Sequence, residues 1–219
     1  MTFNLNGFVT ITDTPEIFNA NFCRAMCQDF NYKIRLRLGD FKQKIQEKVL
    51  AILSSCALYR DIESGKLDGD FGFLKSEGKN NIDLIIQTIV DDIEVNFTNF
   101  SFSNNSINGG IDVYILEDTY KKILALPVSS RLTNSFSQLD WLRWVLLEGN
   151  KIIIAGFHIS YGQYPTSRSG DALMFKNGNW KIQPQYAGTQ NDNFLTRAMD
   201  DNMSNLESSV GVYFEALLR

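Results

Sequence analysis

The sequence predicts an α+β fold: a small antiparallel sheet with β-hairpins packed against several amphipathic helices, ending in a long C-terminal helix. Three observations carry this. Apolar residues recur at helical spacing through residues 82–93 and 195–217. Alternating apolar residues flank Asn- and Gly-rich turns at 104–110 and 176–179. The order is helices, a hairpin, helices with a three-strand run, and a last helix, which is not a strand–helix alternation. At 219 residues the chain can bury a sizeable core, so one domain over 1–219 is expected, with 1–40 as an N-terminal arm or helical extension.

Phe3, Leu5, Phe8, Val9 and Ile11 predict a short strand or an extended arm. Thr14-Pro15-Glu16 is a helix start: an N-cap hydroxyl, Pro at the first helical position and an acid in the first turn. Phe18, Phe22, Ala25 and Met26 share a face of that helix. In residues 31–39, Lys33, Arg35 and Arg37 alternate with Tyr32, Ile34, Leu36 and Leu38, which predicts a strand with one charged face. Asp40 opens the next helix, with Gln43 completing a capping box. Phe41, Ile45, Val49, Ile52, Leu53 and Cys56 form its stripe, and it breaks up around Tyr59. The Gly-rich residues 64–78 are a loop with a short turn. Asn80 or Asn81 then caps the most regular helix, with Ile82, Ile85, Ile86, Ile89, Val90 and Ile93 on one face.

Val95 and Phe97, then Phe100 and Phe102, form alternating pairs offset by one residue, which predicts a strand with a bulge near Asn99. Residues 104–110 turn and 111–116 return. Residues 118–126 form a short helix stopped by Pro127, and 139–148 another with Gly149 as its C-cap. Residues 151–161 are a strand. Residues 171–175 and 180–182 flank Lys176-Asn177-Gly178-Asn179, a hairpin signal. The last helix starts near Asn191 and presents Leu195, Met199, Met203, Leu206, Val210, Phe214 and Leu217.

The composition, 44% hydrophobic and 21% charged, is that of a globular protein, and a net charge of -4 argues against a generic DNA coat while leaving a local basic surface open. Cys23, Cys27 and Cys56 are an odd set without framework spacing, and a single histidine leaves little to complete a zinc tetrahedron, so no metal or cofactor is expected. The cysteine usage fits a reducing cytoplasm. No secretory signal opens the chain and no apolar run reaches membrane-spanning length, so no membrane partner is expected.

Chemistry is sparsely signalled. His158 has no evident nucleophile or orienting group, Asp91-Asp92 and Asp200-Asp201 read as solvated helix faces, and no phosphate loop or nucleophile elbow is present. The chain therefore reads as no enzyme. Arg24, Lys33, Arg35, Arg37, Lys42, Lys44 and Lys48 outnumber the acids among them. Lys33, Arg35 and Arg37 are the candidates to face DNA or an acidic partner, against a plain solvated face. Ser167-Arg168-Ser169-Gly170 is a polar loop in which Gly170 supplies an unusual backbone angle and Arg168 a bidentate contact to a neighbour, against a plain exposed turn.

Several phrases occur in a particular order. Ser64-Gly65-Lys66-Leu67 leads to Phe71-Gly72-Phe73, followed by the Ile82–Ile93 helix and Gly109-Gly110-Ile111. Leu139-Asp140-Trp141-Leu142-Arg143-Trp144, Gly149-Asn150-Lys151-Ile152-Ile153-Ile154 and Ser167-Arg168-Ser169-Gly170 come next. Gly188-Thr189 and Asp192-Asn193-Phe194-Leu195-Thr196-Arg197-Ala198 close the series. Over roughly residues 45–200 this order resembles the neck and tail-completion proteins of tailed bacteriophages, including tail terminators. Ser169 stands where the broader pattern has a threonine. The resemblance implies a ring subunit of the virion, assembled in the host cytoplasm, that terminates the tail tube or joins it to the head connector and lets DNA pass. Its partners would be copies of itself, tail tube or sheath proteins, and head connector or portal-associated proteins. Arg168, Ser169, Gly170, Trp141 and Trp144 are then candidates for the subunit interface. A head-closure subunit, a nucleic-acid-binding module using residues 24–48, and a small hydrolase are the alternatives.

Overall fold

The computed structural model describes residues 14–132, 138–149 and 151–218. The expected arm at Phe3 to Ile11 therefore lies outside the described residues. The fold is α+β, with helices packed on small antiparallel strand pairs and a long helix at the C-terminus. Among the described residues the strands form three two-stranded sheets rather than one.

The first helix departs most from expectation. α1 (Pro15–Ser54) runs 40 residues without a break, from an N-cap at Thr14 whose hydroxyl accepts from the Ile17 amide at 3.4 Å. It passes straight through residues 31–39, expected as a strand, and through Asp40, expected as a helix start. The charge alternation masked a second period. Cys27, Ile34, Phe41, Ile45, Val49, Ile52 and Leu53 are buried, and Phe30 and Leu38 are partly buried between them, so the apolar line advances by three or four residues throughout. Lys33, Arg35 and Arg37 are long unbranched side chains that suit a helix as well as a strand. α1 ends at Ser54, short of the expected break at Tyr59, which is buried inside α2 (Ala57–Glu63).

Residues 64–78 hold one short helix, α3 (Asp68–Phe71), between Gly65 and Gly72, both with left-handed backbone. α4 (Glu77–Asp91) starts a turn earlier than expected, so Asn81 is a buried interior residue and not a cap. Its isoleucine stripe is buried as the spacing predicts. β1 (Ile93–Ser103) and β2 (Ser106–Ile115) form a hairpin whose register shifts between Thr98 and Ser101, at the expected bulge. The turn is only Asn104-Asn105, with φ of 50° and 56°, so residues 106–110 belong to the strand.

The bulge is held by α1. The Asn31 side-chain amide donates to the Phe100 carbonyl at 2.9 Å, and the Phe100 amide donates to Asn31 Oδ1 at 2.7 Å. Arg35 donates to Asn99 Oδ1 at 3.0 Å. Across the strand pair, Gly109 has φ +148°, and a Cβ there would lie 2.6 Å from Phe100 Cα, so the bulge needs a glycine opposite it.

α5 (Thr119–Ala125) and a 3-10 turn (Pro127–Ser129) lead to the short pair β3 (Arg131–Leu132) and β4 (Gln138–Leu139). α6 (Trp141–Arg143) continues as a π-helical turn (Trp144–Glu148). Gly149 is its C-cap, as expected, with right-handed backbone at φ -64°. Its role is close approach: a Cβ on Gly149 would lie 2.4 Å from Ala187 Cα, and one on Gly188 1.9 Å from the Val145 carbonyl oxygen.

β5 (Ile154–Tyr161) and β6 (Ala172–Trp180) form the third pair. Here the Asn-Gly signal misleads. Asn177-Gly178 sits inside β6 as a bulge opposite Gly156, and the chain reverses instead through residues 162–171. The ends of the pair explain the choice: Ile154 pairs with Trp180, which lets Trp180 pack on Trp144 at a 5.5 Å ring separation. The expected single terminal helix is two, α7 (Phe194–Asp201) and α8 (Met203–Leu218), parted at Asn202, whose side-chain amide donates to the Ala198 carbonyl at 2.9 Å.

The buried residues form one continuous cluster from Ile34 on α1 to Leu217 on α8. α1 is its spine, with β1, α4, α7 and α8 laid against it. No helix among the described residues is long and apolar enough to cross a membrane.

The Asn31 bracket yields a test. Asn31→Ala leaves the Phe100 amide and carbonyl without their partners, which costs roughly 1–3 kcal/mol. Equilibrium denaturation should read a loss in that range; an unchanged midpoint would show that the bulge does not depend on α1.

Candidate functional site

Two of the motifs singled out in the sequence, the Trp141 phrase and the loop at residues 167–170, lie beside α3. Trp141 is 0% exposed, and its ring packs on Phe71 and Phe73 at 5.4 and 5.1 Å, with the indole N–H donating to the Val128 carbonyl at 2.7 Å. Trp144 is 8% exposed against Trp180. Both tryptophans were candidates for a subunit interface. They serve the core of the chain itself, because a buried indole with its N–H satisfied is the cheapest way to fill the space under α3.

The loop of residues 162–171 joins β5 to β6 beside α3. Tyr164 donates from its amide to the Gly170 carbonyl at 2.8 Å, Gly162 to the Asp171 carbonyl at 2.9 Å, and the Ser167 hydroxyl to the Ala172 carbonyl. Gly170 has φ +83°, as the sequence suggested. Ser169 Oγ accepts from the Asp171 amide at 3.4 Å and lies 3.3 Å from Ser167 Oγ. Arg168 is exposed, but one guanidinium nitrogen donates to the Leu132 carbonyl at 2.5 Å, tying the loop to β3. Ser169 and Gly170 thus shape the loop, and Arg168 keeps only part of its fork for anything outside the chain.

Beneath the loop lie two acids that the sequence placed in a turn. Asp68 and Asp70 are 7% and 6% exposed. Tyr161 donates to Asp70 Oδ1 at 2.7 Å, while Asp68 Oδ1 and Asp70 Oδ2 have no partner. Burial, with the Asp171 carboxylate adding to it, raises Asp68 to about 6. Burial also raises Asp70, against the opposing hydrogen bond of Tyr161. The Tyr161 hydroxyl is raised in turn, first by burial and then by Asp70. Arg131 pairs with Glu77 at the N-terminus of α4, and its Nε is buried without a partner. No cluster of three or more His, Cys, Asp or Glu among the described residues could hold a metal. These groups can hold or release a proton, and the Tyr161 hydroxyl and the Asp70 carboxylate lie in hydrogen-bond reach of one another.

The basic candidates meet different partners. Lys33 donates to the Leu218 carbonyl at 2.9 Å and pairs with Asp29 at 3.0 Å. Arg37 donates to the Ala216 carbonyl at 3.0 Å, and Arg35 is on the bulge. Two of the three therefore cap the carbonyl end of α8, where a helix carries partial negative charge. Lys48 reaches Asn205 at 3.0 Å and Lys44 lies over the Tyr213 ring at 5.5 Å, so α8 runs antiparallel along α1 on a line of cations.

The closing motif is structural as well. Asn193, fully buried, accepts from the Leu195 and Thr196 amides at 3.0 and 3.3 Å, and its own amide N–H donates to Thr196 Oγ1 at 2.9 Å. Arg197 binds Asp192 and the Gln185 and Ala187 carbonyls. His158 is exposed, with Nδ1 2.9 Å from the Asn177 carbonyl, and Asp92 is taken up by Thr119 and Lys122. Cys23, Cys27 and Cys56 are free thiols. Asn31, Asp68, Asp70 and Arg131 had no sequence signal as site residues; only Asn193, three before Thr196, carried a legible cap pattern.

No family model, curated protein or solved structure matches the chain.

Two outcomes are expected. Asp68, unfolded, titrates near 3.8 and, folded, near 6, so the fold prefers its protonated form. Its penalty is absent below about pH 4 and complete above about pH 6, on the order of 2–3 kcal/mol. Asp68→Asn should therefore gain stability over the parent at pH 8 and little at pH 4 in thermal melts; an equal difference at both would remove the carboxyl from the pH response. Lys33→Glu with Arg37→Glu should loosen α8 by roughly 1 kcal/mol, through lost caps at a helix C-terminus. Hydrogen exchange of α8 reads this, and protection unchanged from the parent would free both side chains for an outside partner.

Proposed function

We propose that the chain is a structural subunit of the head–tail junction of a tailed bacteriophage. In this reading it is one copy in a ring that terminates the tail tube or joins it to the head connector while letting DNA pass. It is built in the host cytoplasm, resides in the virion, and catalyses no reaction. Its neighbours are further copies of itself, tail tube or sheath proteins, and head connector or portal-associated proteins.

The observation that carries the reading is apolar surface left uncovered along α1 and β2. Phe22 is 57% exposed and Leu36 67%, and Phe18, Tyr32, Val113, Tyr114 and Ile115 are also exposed. A chain with so continuous a core does not need to leave such side chains in water, and surface of this kind marks contact with other proteins. The ordered phrases of the resemblance support the same view. Trp141, Gly149, Gly188 and Asn193 do not gather at one pocket; Trp141 fills the space under α3, Gly149 and Gly188 allow the close approach of residues 145–149 to 187–188, and Asn193 caps α7. The basic stretch supports assembly over DNA binding, because Lys33 and Arg37 face carbonyls of the same chain.

Imaging of particles assembled with and without the chain tests this. Ring density of six- or twelve-fold symmetry at the neck is expected, together with detached tails or lost DNA when the chain is omitted. A monomer recovered only from infected-cell cytosol, with particles intact in its absence, would overturn the proposal.

A further inference from the structure

The β1–β2 hairpin leaves one edge open. Among the described residues β2 pairs with β1 alone, so the backbone groups along its far side have no strand partner. Ten residues is long for a bare edge, and its guards are few: no Lys, Arg or Pro, one charge at Asp112, and the bulge of the paired strand opposite Gly109. Ile107, Ile111, Val113 and Ile115 fall on one face by strand alternation. The edge also borders a groove of about 220 Å³, with Val113 and Ile115 on one wall, Met203, Leu206 and Val210 of α8 on the other, and Ile45 and Val49 of α1 at its floor. An unpaired strand edge beside an apolar trough is shaped for an extended segment with an apolar residue at every second position.

The chain contains such a segment. Residues 3, 5, 7, 9 and 11 are Phe, Leu, Gly, Val and Ile, the intervening side chains include three threonines or asparagines, and residues 1–12 carry no charge. It lies outside the described residues, and it joins the structure at Thr14, the far end of α1 from the groove. Thr14 to Ile45 is 31 residues of helix, about 46 Å at 1.5 Å each. Thr14 back to Phe3 is 11 residues, about 37 Å when fully extended. In its own copy the segment therefore reaches the hairpin end of β2 beside Asn31 but falls short of the groove at Ile45, whereas the segment of an adjacent copy is not so limited.

We propose that residues 3–11 of a neighbouring copy add as a strand to the free edge of β2, with their apolar side chains in the groove between β2 and α8. The contact is heterologous, arm into groove, so each copy offers one of each and a closed ring satisfies all of them. It rests on the reading that copies of this chain associate, and it does not need the virion assignment.

Complementation tests it in the otherwise intact chain. The arm variant carries Leu5→Asp and Val9→Asp; the groove variant carries Val113→Asp. Sedimentation velocity should show oligomers for the parent and monomers for each variant. Mixing the variants should give heterodimers and nothing larger, since one copy keeps a groove and the other an arm. Assembly of either variant alone at the parent's level would overturn the proposal, as would a monomeric parent with no complementation, the result expected if the segment folds onto its own chain. Should Val113→Asp fail to fold by circular dichroism, a labelled peptide of residues 1–13 decides. It should bind the arm variant and bind at least about tenfold more weakly when its own Leu5 and Val9 are Asp, a loss of about 1.4 kcal/mol. Absence of binding would sink the strand addition. Particle imaging that fails while complementation succeeds would instead sink only the phage reading.

Discussion

Everything in this fold is referred to one line of side chains on α1. Cys27, Ile34, Phe41, Ile45, Val49, Ile52 and Leu53 are buried along more than half of a 40-residue helix. A helix of that length is stable in water only if most of its turns find something to pack on. β1, α4, α7 and α8 supply that packing, and each is positioned by where it meets the line. Loss of the line would therefore remove the common reference for the hairpin and the C-terminal helix together.

Polar bonds fix how those elements sit once burial has brought them in. Asn31 satisfies both backbone groups of a bulged residue, and Lys33 and Arg37 satisfy the end of α8, all from about two neighbouring turns of α1. At the other end of the molecule the balance is less complete. Asp68, Asp70 and Arg131 keep buried polar atoms without partners, which a fold tolerates only at a cost of roughly 1–3 kcal/mol each. The uncovered apolar side chains on α1 and β2 are a second unspent feature, and both suit a part whose surroundings are completed by neighbours.

What was legible in the sequence was local. The isoleucine stripe of α4, the Thr14 cap and the Asn99 bulge are legible because each leaves its pattern within one element, whatever else then holds it. Residues 31–39 were misread because Lys33, Arg35 and Arg37 satisfy a period of two, while the helical period of their neighbours shows only when Cys27 and Phe41 are counted with Ile34. Asn177-Gly178 was misread because an Asn-Gly pair serves a bulge as readily as a turn, and only the pairing of Ile154 with Trp180 decides between them. The site residues were hidden for a related reason. Nothing near Asp68 in the chain announces that Tyr161 and Asp171 will close over it, and nothing near Trp141 separates a core ring from an interface ring.

The bond from Lys33 to the carbonyl of Leu218 spans 185 positions. On a ribosome adding about 5–20 residues per second, α1 is synthesised roughly 10–40 s before the last turn of α8 exists. Until then the groove face of α1 has no covering helix, and the nascent chain carries an exposed apolar rod. Contacts this remote in sequence form late and slowly. The chain thus passes through a stage in which a neighbouring nascent copy, or a chaperone, competes for the surface that its own C-terminus is meant to close.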